Sequence, residues 1–197
     1  SRTNLFINRV AKTQINFLGY PGTIGSKNYD YIIADRFVVH EDEQSYFTEK
    51  VIYLPDCYQP NTKIINSRKK KLSKEEYSLP ENSFVFCNFN HNFKITPVLF
   101  DSWIKILNNV PDSVLWLLRS NQYSEENLKK YFVSKKMKPE RLIFADLVAH
   151  DLHLSRISNA HVALDTFPYT SHTTSSDILR SGVPLIALTG KSFASRV

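Results

Sequence analysis

The chain has 197 residues, 42% of them apolar and 13% aromatic, which is enough to bury a core and excludes disorder along its whole length. Its 25 Lys and Arg against 19 Asp and Glu give a net charge of +6, a balance that favours anionic partners without separating nucleic acid from nucleotide. No apolar run approaches the ~18–20 residues of a membrane span, and Ser1-Arg2-Thr3-Asn4 shows no signal-peptide pattern. Two distant cysteines, Cys57 and Cys87, supply neither a disulfide scaffold nor a zinc ribbon, so a reduced, cytoplasmic protein is expected.

In chain order, strand-like runs fall at residues 14–18, 31–34 and 51–54. Between the first two, Gly19-Tyr20-Pro21-Gly22-Thr23-Ile24-Gly25 gathers three of the five glycines into a tight loop. From Pro55 to about Leu79 the pattern dissolves into Pro, Asn, Ser and Lys, a linker composition. Its basic block, Arg68-Lys69-Lys70-Lys71, reads as a solvated face or as a contact for phosphate. After Pro80 the apolar run 84–87 predicts a buried strand. Thr96-Pro97 then supplies an N-cap and a proline at the first helical position. Phe100, Trp103, Ile104 and Leu107 follow at i, i+3, i+4 and i+7, one face of a helix. A strand at 114–118, a helix opening at Ser124-Glu125-Glu126, a strand at 142–144 and a short helix at 151–158 come next. The series closes with a strand at 162–164, a helix after Thr173, a strand at 185–188 and a helix starting at Ser192. Strands alternating with helices at this spacing imply a doubly wound α/β domain with a parallel sheet, preceded by a smaller segment.

Two loops at strand ends carry the chemistry. Thr170-Ser171-His172-Thr173-Thr174-Ser175-Ser176-Asp177 opens a helix with hydroxyls, an imidazole and free amides. It suits either an anion site or plain capping, with Thr or Ser as the cap and Asp177 on the helix dipole. Asn88-Phe89-Asn90-His91-Asn92-Phe93-Lys94 leaves another strand and brings a lysine that can meet phosphate as a point charge. Two such loops on one sheet edge point to a diphosphate. Other motifs are incomplete: Gly190-Lys191-Ser192 ends like a Walker A loop, but Leu185 stands where the first glycine belongs. There is no G-x-S-x-G elbow and no D-x-D triplet, and His150 with His153 beside Asp151 makes a weak metal candidate.

Five blocks in one order then resemble the O-linked N-acetylglucosamine transferase family: Leu18-Gly19-Tyr20-Pro21-Gly22-Thr23, Asp30-Tyr31-Ile32-Ile33-Ala34-Asp35, Cys87-Asn88-Phe89-Asn90, the run from Val110-Pro111 to Leu117-Leu118, and His172-Thr173-Thr174 with Asp177. The closing Ser195-Arg196-Val197 fits as well. The short linker makes the chain most similar to the bacterial Spindly-type branch. The resemblance implies a GT-B glycosyltransferase with a Rossmann-like doubly wound parallel sheet and a partial N-terminal domain. On that reading, residues 1–58 end the acceptor-side domain, 59–79 are linker, and 80–197 form the nucleotide-sugar domain. It further implies inverting, metal-independent transfer of a sugar, N-acetylglucosamine first, from a UDP-sugar to protein Ser/Thr. No cofactor, nucleic acid or membrane is implied, and a tetratricopeptide region is expected elsewhere in the full-length protein. Residue by residue, Lys94 matches the family's diphosphate lysine and is the expected catalytic residue. His172, Thr173 and Thr174 match the phosphate turn, Asp177 the ribose carboxylate, and His153 and Arg156 the nucleotide-proximal helix. His91 stands where the animal enzymes carry a glutamine of the donor site, and Leu18, Gly19 and Pro21 would face the donor sugar. Glucose or GDP-fucose as donor, or a non-catalytic nucleotide- or nucleic-acid-binding module, are the alternatives.

Overall fold

The computed structural model describes residues 5–6, 8–61 and 73–197. They divide into two compact units, one reaching residue 61 and including Thr189–Val197, the other running from residue 73 to Leu188. The basic block at 68–71 and much of the expected linker lie outside the described residues. Among the described residues no helix is long and apolar enough to cross a membrane.

The first unit is built on three parallel strands in the order β1-β2-β3: β1 (Ile15–Asn16), β2 (Tyr31–Asp35) and β3 (Lys50–Leu54). Ile32, Ala34, Val38, Val39, Val51, Tyr58 and Phe193 form its core. Burying a carboxylate is costly unless its oxygens are occupied, and the unit uses this twice. Asp35 accepts from the amides of Phe37, Val38 and Tyr58 at 2.9–3.0 Å. Glu49, fully buried, accepts from Thr23 Oγ1 and the Ile24 amide, both at 2.6 Å. The buried Asn16 amide donates to the Tyr20 and Gly22 carbonyls, each at 3.1 Å, and folds the glycine loop back on its strand. The left-handed residues flanking that loop are Leu18, with φ 54°, and Gly25, with φ 71°, rather than Gly19.

The second unit holds five parallel strands in the order β6-β5-β4-β7-β8: β4 (Phe84–Asn88), β5 (Ser113–Leu118), β6 (Leu142–Ala145), β7 (Val162–Leu164) and β8 (Leu185–Ile186). Four helices connect them: α1 (Pro97–Asn109), α2 (Gln122–Ser134), α3 (His150–Ile157) and α4 (Thr173–Arg180). Period-two alternation sends successive strand residues to opposite faces. Val85, Cys87, Val114, Trp116 and Leu118 join Ile157 of α3 and Ile178 of α4 in one cluster. Phe86, Leu115 and Leu117 join Phe100, Trp103, Ile104, Leu107 and Phe132 of α1 and α2 in the other. Both faces are therefore covered, as a parallel sheet requires. Burial pushes the Cys87 thiol up to about 12, which leaves it inert, and neither cysteine is in a disulfide.

Helix α1 starts as the sequence predicts, with Thr96 Oγ1 accepting from the Leu99 amide at 3.3 Å and Pro97 in its first turn. Several boundaries differ. Helix α2 begins at Gln122 because Asn121 caps it, its side chain accepting from the Ser124 amide at 2.9 Å. The strand expected at 14–18 pairs only through Ile15–Asn16, and that at 185–188 only through Leu185–Ile186. The helix expected from Ser192 is a single 3-10 turn, Phe193–Ser195. Residues 80–197 do not form one unit: Thr189–Val197 belongs with the N-terminal strands. Phe193 meets the Tyr58 ring edge-on at 5.1 Å, and Arg196 forks onto Glu43 at 2.6 and 2.8 Å.

The Arg196 guanidinium holds the Glu43 carboxyl down at about 2, against an ordinary 4.5. A carboxyl depressed on folding contributes stability above its unfolded value and loses it as pH falls toward its folded one. Acid unfolding of the first unit, followed by fluorescence, is expected to lose about 1 kcal/mol from this pair between roughly pH 4.5 and pH 2. Glu43→Gln should be less stable at neutral pH and should lack that component of the acid dependence. An unchanged acid profile in Glu43→Gln would show that the fork contributes nothing.

Candidate functional site

In a doubly wound sheet, ligands bind beyond the carboxyl ends of the strands, where the strand order reverses. Here that place lies between β4 and β7, neighbours whose following helices, α1 and α4, pack on opposite faces. The segment after β4 is held down by asparagines. Asn88 donates to the Leu164 carbonyl at 2.6 Å, and its Oδ1 accepts from the Asn90 amide at 3.1 Å. A 3-10 turn, Asn92–Lys94, follows and delivers the lysine. Lys94 Nζ donates to the Thr170 carbonyl at 3.0 Å and to Asn90 Oδ1 at 3.3 Å, and it lies 4.2 Å from the centre of the Tyr169 ring. Burial pulls the ammonium below its ordinary value, and the negative charge of Asp165 opposes that shift. Two of its three N–H donors are engaged here, and an anion can take the third.

After β7 the chain makes a compact loop that contains the cis Phe167–Pro168 bond and leads into α4. Tyr169 stacks on His172 at 5.0 Å. His172, rather than a Thr or Ser, is the N-cap residue, and its side chain makes no capping hydrogen bond. The Ser175 hydroxyl turns back to Ser171, and the first turn holds no acidic residue, Asp177 lying one turn on. Such a helix start presents N–H groups and the positive end of the dipole.

Helix α3 packs beside α4, with Ser181 Oγ donating to the Leu154 carbonyl at 3.1 Å. Across this seam His150 Nε2 meets both oxygens of Asp177 at 3.0 Å. Arg156 is 1% exposed, lies 5.2 Å over the Phe89 ring and donates to the Asp146 carbonyl. Its Nε also donates to His153 Nδ1 at 3.0 Å. That bond assigns the proton of a neutral His153 to Nε2, which can then act as a donor.

Lys94 is thus joined to the loop carrying His172, Thr173 and Thr174, while Asp177, His153 and Arg156 line the adjoining α3–α4 seam. His91 is exposed and stacks on Phe93 at 5.8 Å, away from these contacts. Leu18, Gly19 and Pro21 lie in the first unit. His150 and His153 do not join a metal set, since among the described residues no group of three or more His, Cys, Asp or Glu side chains could hold a metal ion. Asp165 and Tyr169 went unnoticed in the sequence, Asn90 was read only as part of its loop, and His150 only as a weak metal candidate, not as the partner of Asp177. Asp165 was the most findable, a charged residue placed directly after the apolar run 162–164.

The chain matches the sequence profile of glycosyl transferase family 41 over residues 1–70 and 59–197. It is 34% identical over 203 residues to the probable UDP-N-acetylglucosamine–peptide N-acetylglucosaminyltransferase SEC of Arabidopsis thaliana, covering 100% of this chain and 21% of that protein. The UDP-N-acetylglucosamine–peptide N-acetylglucosaminyltransferase of Caenorhabditis elegans is 44% identical over 138 residues, 70% of this chain and 12% of its own. The probable transferase SPINDLY of Petunia hybrida is 30% identical over 198 residues, 96% of this chain and 20% of its own. The chain therefore spans about a fifth or less of the length of these curated relatives. A mutant O-GlcNAc transferase of Thermobaculum terrenum superposes with a TM-score of 0.84 at 26% identity, over 99% of this chain and 37% of that one. Parallel sheets flanked by helices match its GT-B fold in part.

Burial and the Arg156 charge push His153 down to about 4, from an ordinary 6.5. In the folded protein its ring resonances should stay constant from pH 8 to about 5 and move only near pH 4. Because the unfolded chain takes up this proton first, the contribution of His153 to stability should be complete above about pH 6.5 and decline as pH falls toward 4. A ring titration centred near 6.5 in the folded state would contradict this placement.

Proposed function

Because the chain belongs to glycosyl transferase family 41, we propose that it supplies the donor site of an enzyme that moves N-acetylglucosamine from a UDP-sugar to Ser/Thr hydroxyls of protein. The observation that carries this reading is the seat of Lys94, tied to Thr170 at the strand-order reversal beside the start of α4. When a sugar leaves a nucleotide, negative charge grows on the diphosphate, and fixed donors aimed there lower the barrier. Lys94, the Thr173 and Thr174 amides and hydroxyls, and the α4 dipole provide that stabilisation without a metal or a further cofactor. His172 adds an imidazole on the same turn.

Asp177, oriented by His150, receives the ribose hydroxyls. His153 and Arg156 bound the nucleoside end, with His91 at its rim. Departure of the diphosphate as the acceptor oxygen attacks from the opposite side inverts the anomeric centre. The acceptor is a protein or peptide chain, the compartment is the cytoplasm, and a tetratricopeptide region belongs to the longer protein.

Calorimetric titration with UDP, GDP and a short single-stranded RNA tests the reading. UDP is expected to bind saturably, and Lys94→Ala to weaken it by about 10- to 100-fold, the scale of a lost charge-assisted contact. A preference for GDP would move the donor toward a guanosine sugar. RNA binding with steep salt dependence and no nucleotide binding would overturn the reading.

A further inference from the structure

We infer that Asp165 is a positioning residue of the diphosphate site, a buried carboxylate that fixes the loop after β7, and with it the start of α4, against Lys94. The inference rests on the donor-site reading above. Asp165 directly follows β7 at the strand-order reversal and is 6% exposed. Its Oδ1 accepts three hydrogen bonds: from the Thr166 amide at 2.7 Å, the Ser171 amide at 2.8 Å and Ser171 Oγ at 2.6 Å. One oxygen atom thus closes both ends of the loop. Inside the closure, Thr166 Oγ1 donates to the Tyr169 carbonyl at 2.7 Å.

The link continues into the helix. Ser171 has one hydroxyl hydrogen, and a carboxylate only accepts, so that hydrogen goes to Asp165. The single Ser175 hydroxyl hydrogen is then shared between Ser171 Oγ, in the short contact, and the Ser171 carbonyl at 3.1 Å, so Ser175 donates to Ser171 either way. Ser175 lies in the first turn of α4, so a single polar chain runs from the end of β7 to the amides that would meet phosphate.

The charge itself calls for a reason. The other oxygen, Oδ2, is buried and has no hydrogen-bond partner. A neutral asparagine or serine would accept the loop's donors at a smaller desolvation cost. What only a carboxylate supplies is a negative charge that favours the protonated form of the half-buried Lys94. Lys94 in turn donates to Thr170, the residue before Ser171, so loop and lysine are fixed on each other. Sealed from solvent, Asp165 touches no ligand and acts through Ser171 and Lys94.

UDP titration of the full chain, with thermal melting alongside, tests this in Asp165→Asn and Ser171→Ala. Asp165→Asn keeps the shape and an acceptor but removes the charge. It should weaken UDP about tenfold with unchanged stoichiometry, since a charge-assisted hydrogen bond is worth about that factor. Ser171→Ala, which breaks the link one bond further out, should weaken it about threefold. Should Asp165→Asn fail to fold, Ser171→Ala decides. UDP affinity within about twofold of the unsubstituted chain in the variants that fold, with only the melting temperature lowered, would make Asp165 a structural carboxylate and overturn the inference. No UDP binding by the unsubstituted chain would instead overturn the donor-site reading, and this assignment with it.

Discussion

One hydrogen bond, from Lys94 to the Thr170 carbonyl, joins segments 76 residues apart and organises the site around it. Its position follows from the sheet. Parallel strands need crossover helices, and a sheet covered on both faces has one place where neighbouring strands send their chains to opposite sides. In this chain that place is between β4 and β7, and the loops leaving it diverge. A lysine from one loop, seated on a carbonyl of the other, holds the gap at a fixed width. The Tyr169 ring 4.2 Å from Nζ lines the same seat.

Elsewhere in the two units, buried charges are held by hydrogen bonds. Asp35 and Glu49 are satisfied largely by backbone amides and a hydroxyl, and they organise turns of the first unit. Arg156 spends its donors on the Asp146 carbonyl and the His153 ring. Lys94 and Asp165 stand apart. Each is partly or fully buried, and each keeps polar capacity that the described contacts leave unfilled. Incomplete satisfaction of buried polar groups is costly for stability. Together with the first-turn amides of α4, it concentrates at the one edge of the sheet where the fold favours a ligand.

What was legible in the sequence was local. Thr96-Pro97 and the spacing of Phe100, Trp103, Ile104 and Leu107 define a helix start and a buried face within a dozen residues, and both are realised. The apolar runs at 84–87, 114–118, 142–144 and 162–164 become strands close to their expected bounds, since residues buried on both faces leave few other readings. The misses are contacts between distant residues. Asn121, three residues before the Ser124 amide it accepts from, is the cap of α2, so the helix opens ahead of Ser124. Thr189–Val197 left the second unit for Tyr58 and Glu43, a pairing that no local pattern announces. His150 looked like half of a metal pair and instead faces Asp177 across two helices. Of the proposed donor-site residues, Lys94 and the His172–Thr174 turn were visible as chemistry at strand ends, whereas the Lys94–Thr170 bond that links their loops exists only once β4 and β7 are neighbours.

The proposed diphosphate seat, formed by Lys94 and the start of α4, is tested most directly by a crystal structure of the full chain with UDP. The β-phosphate should lie within hydrogen-bonding distance, about 2.7–3.2 Å, of Lys94 Nζ and of the Thr173 or Thr174 amide, with the Lys94–Thr170 contact retained. A diphosphate bound elsewhere on the chain, with Lys94 and the first turn of α4 unengaged, would contradict the account.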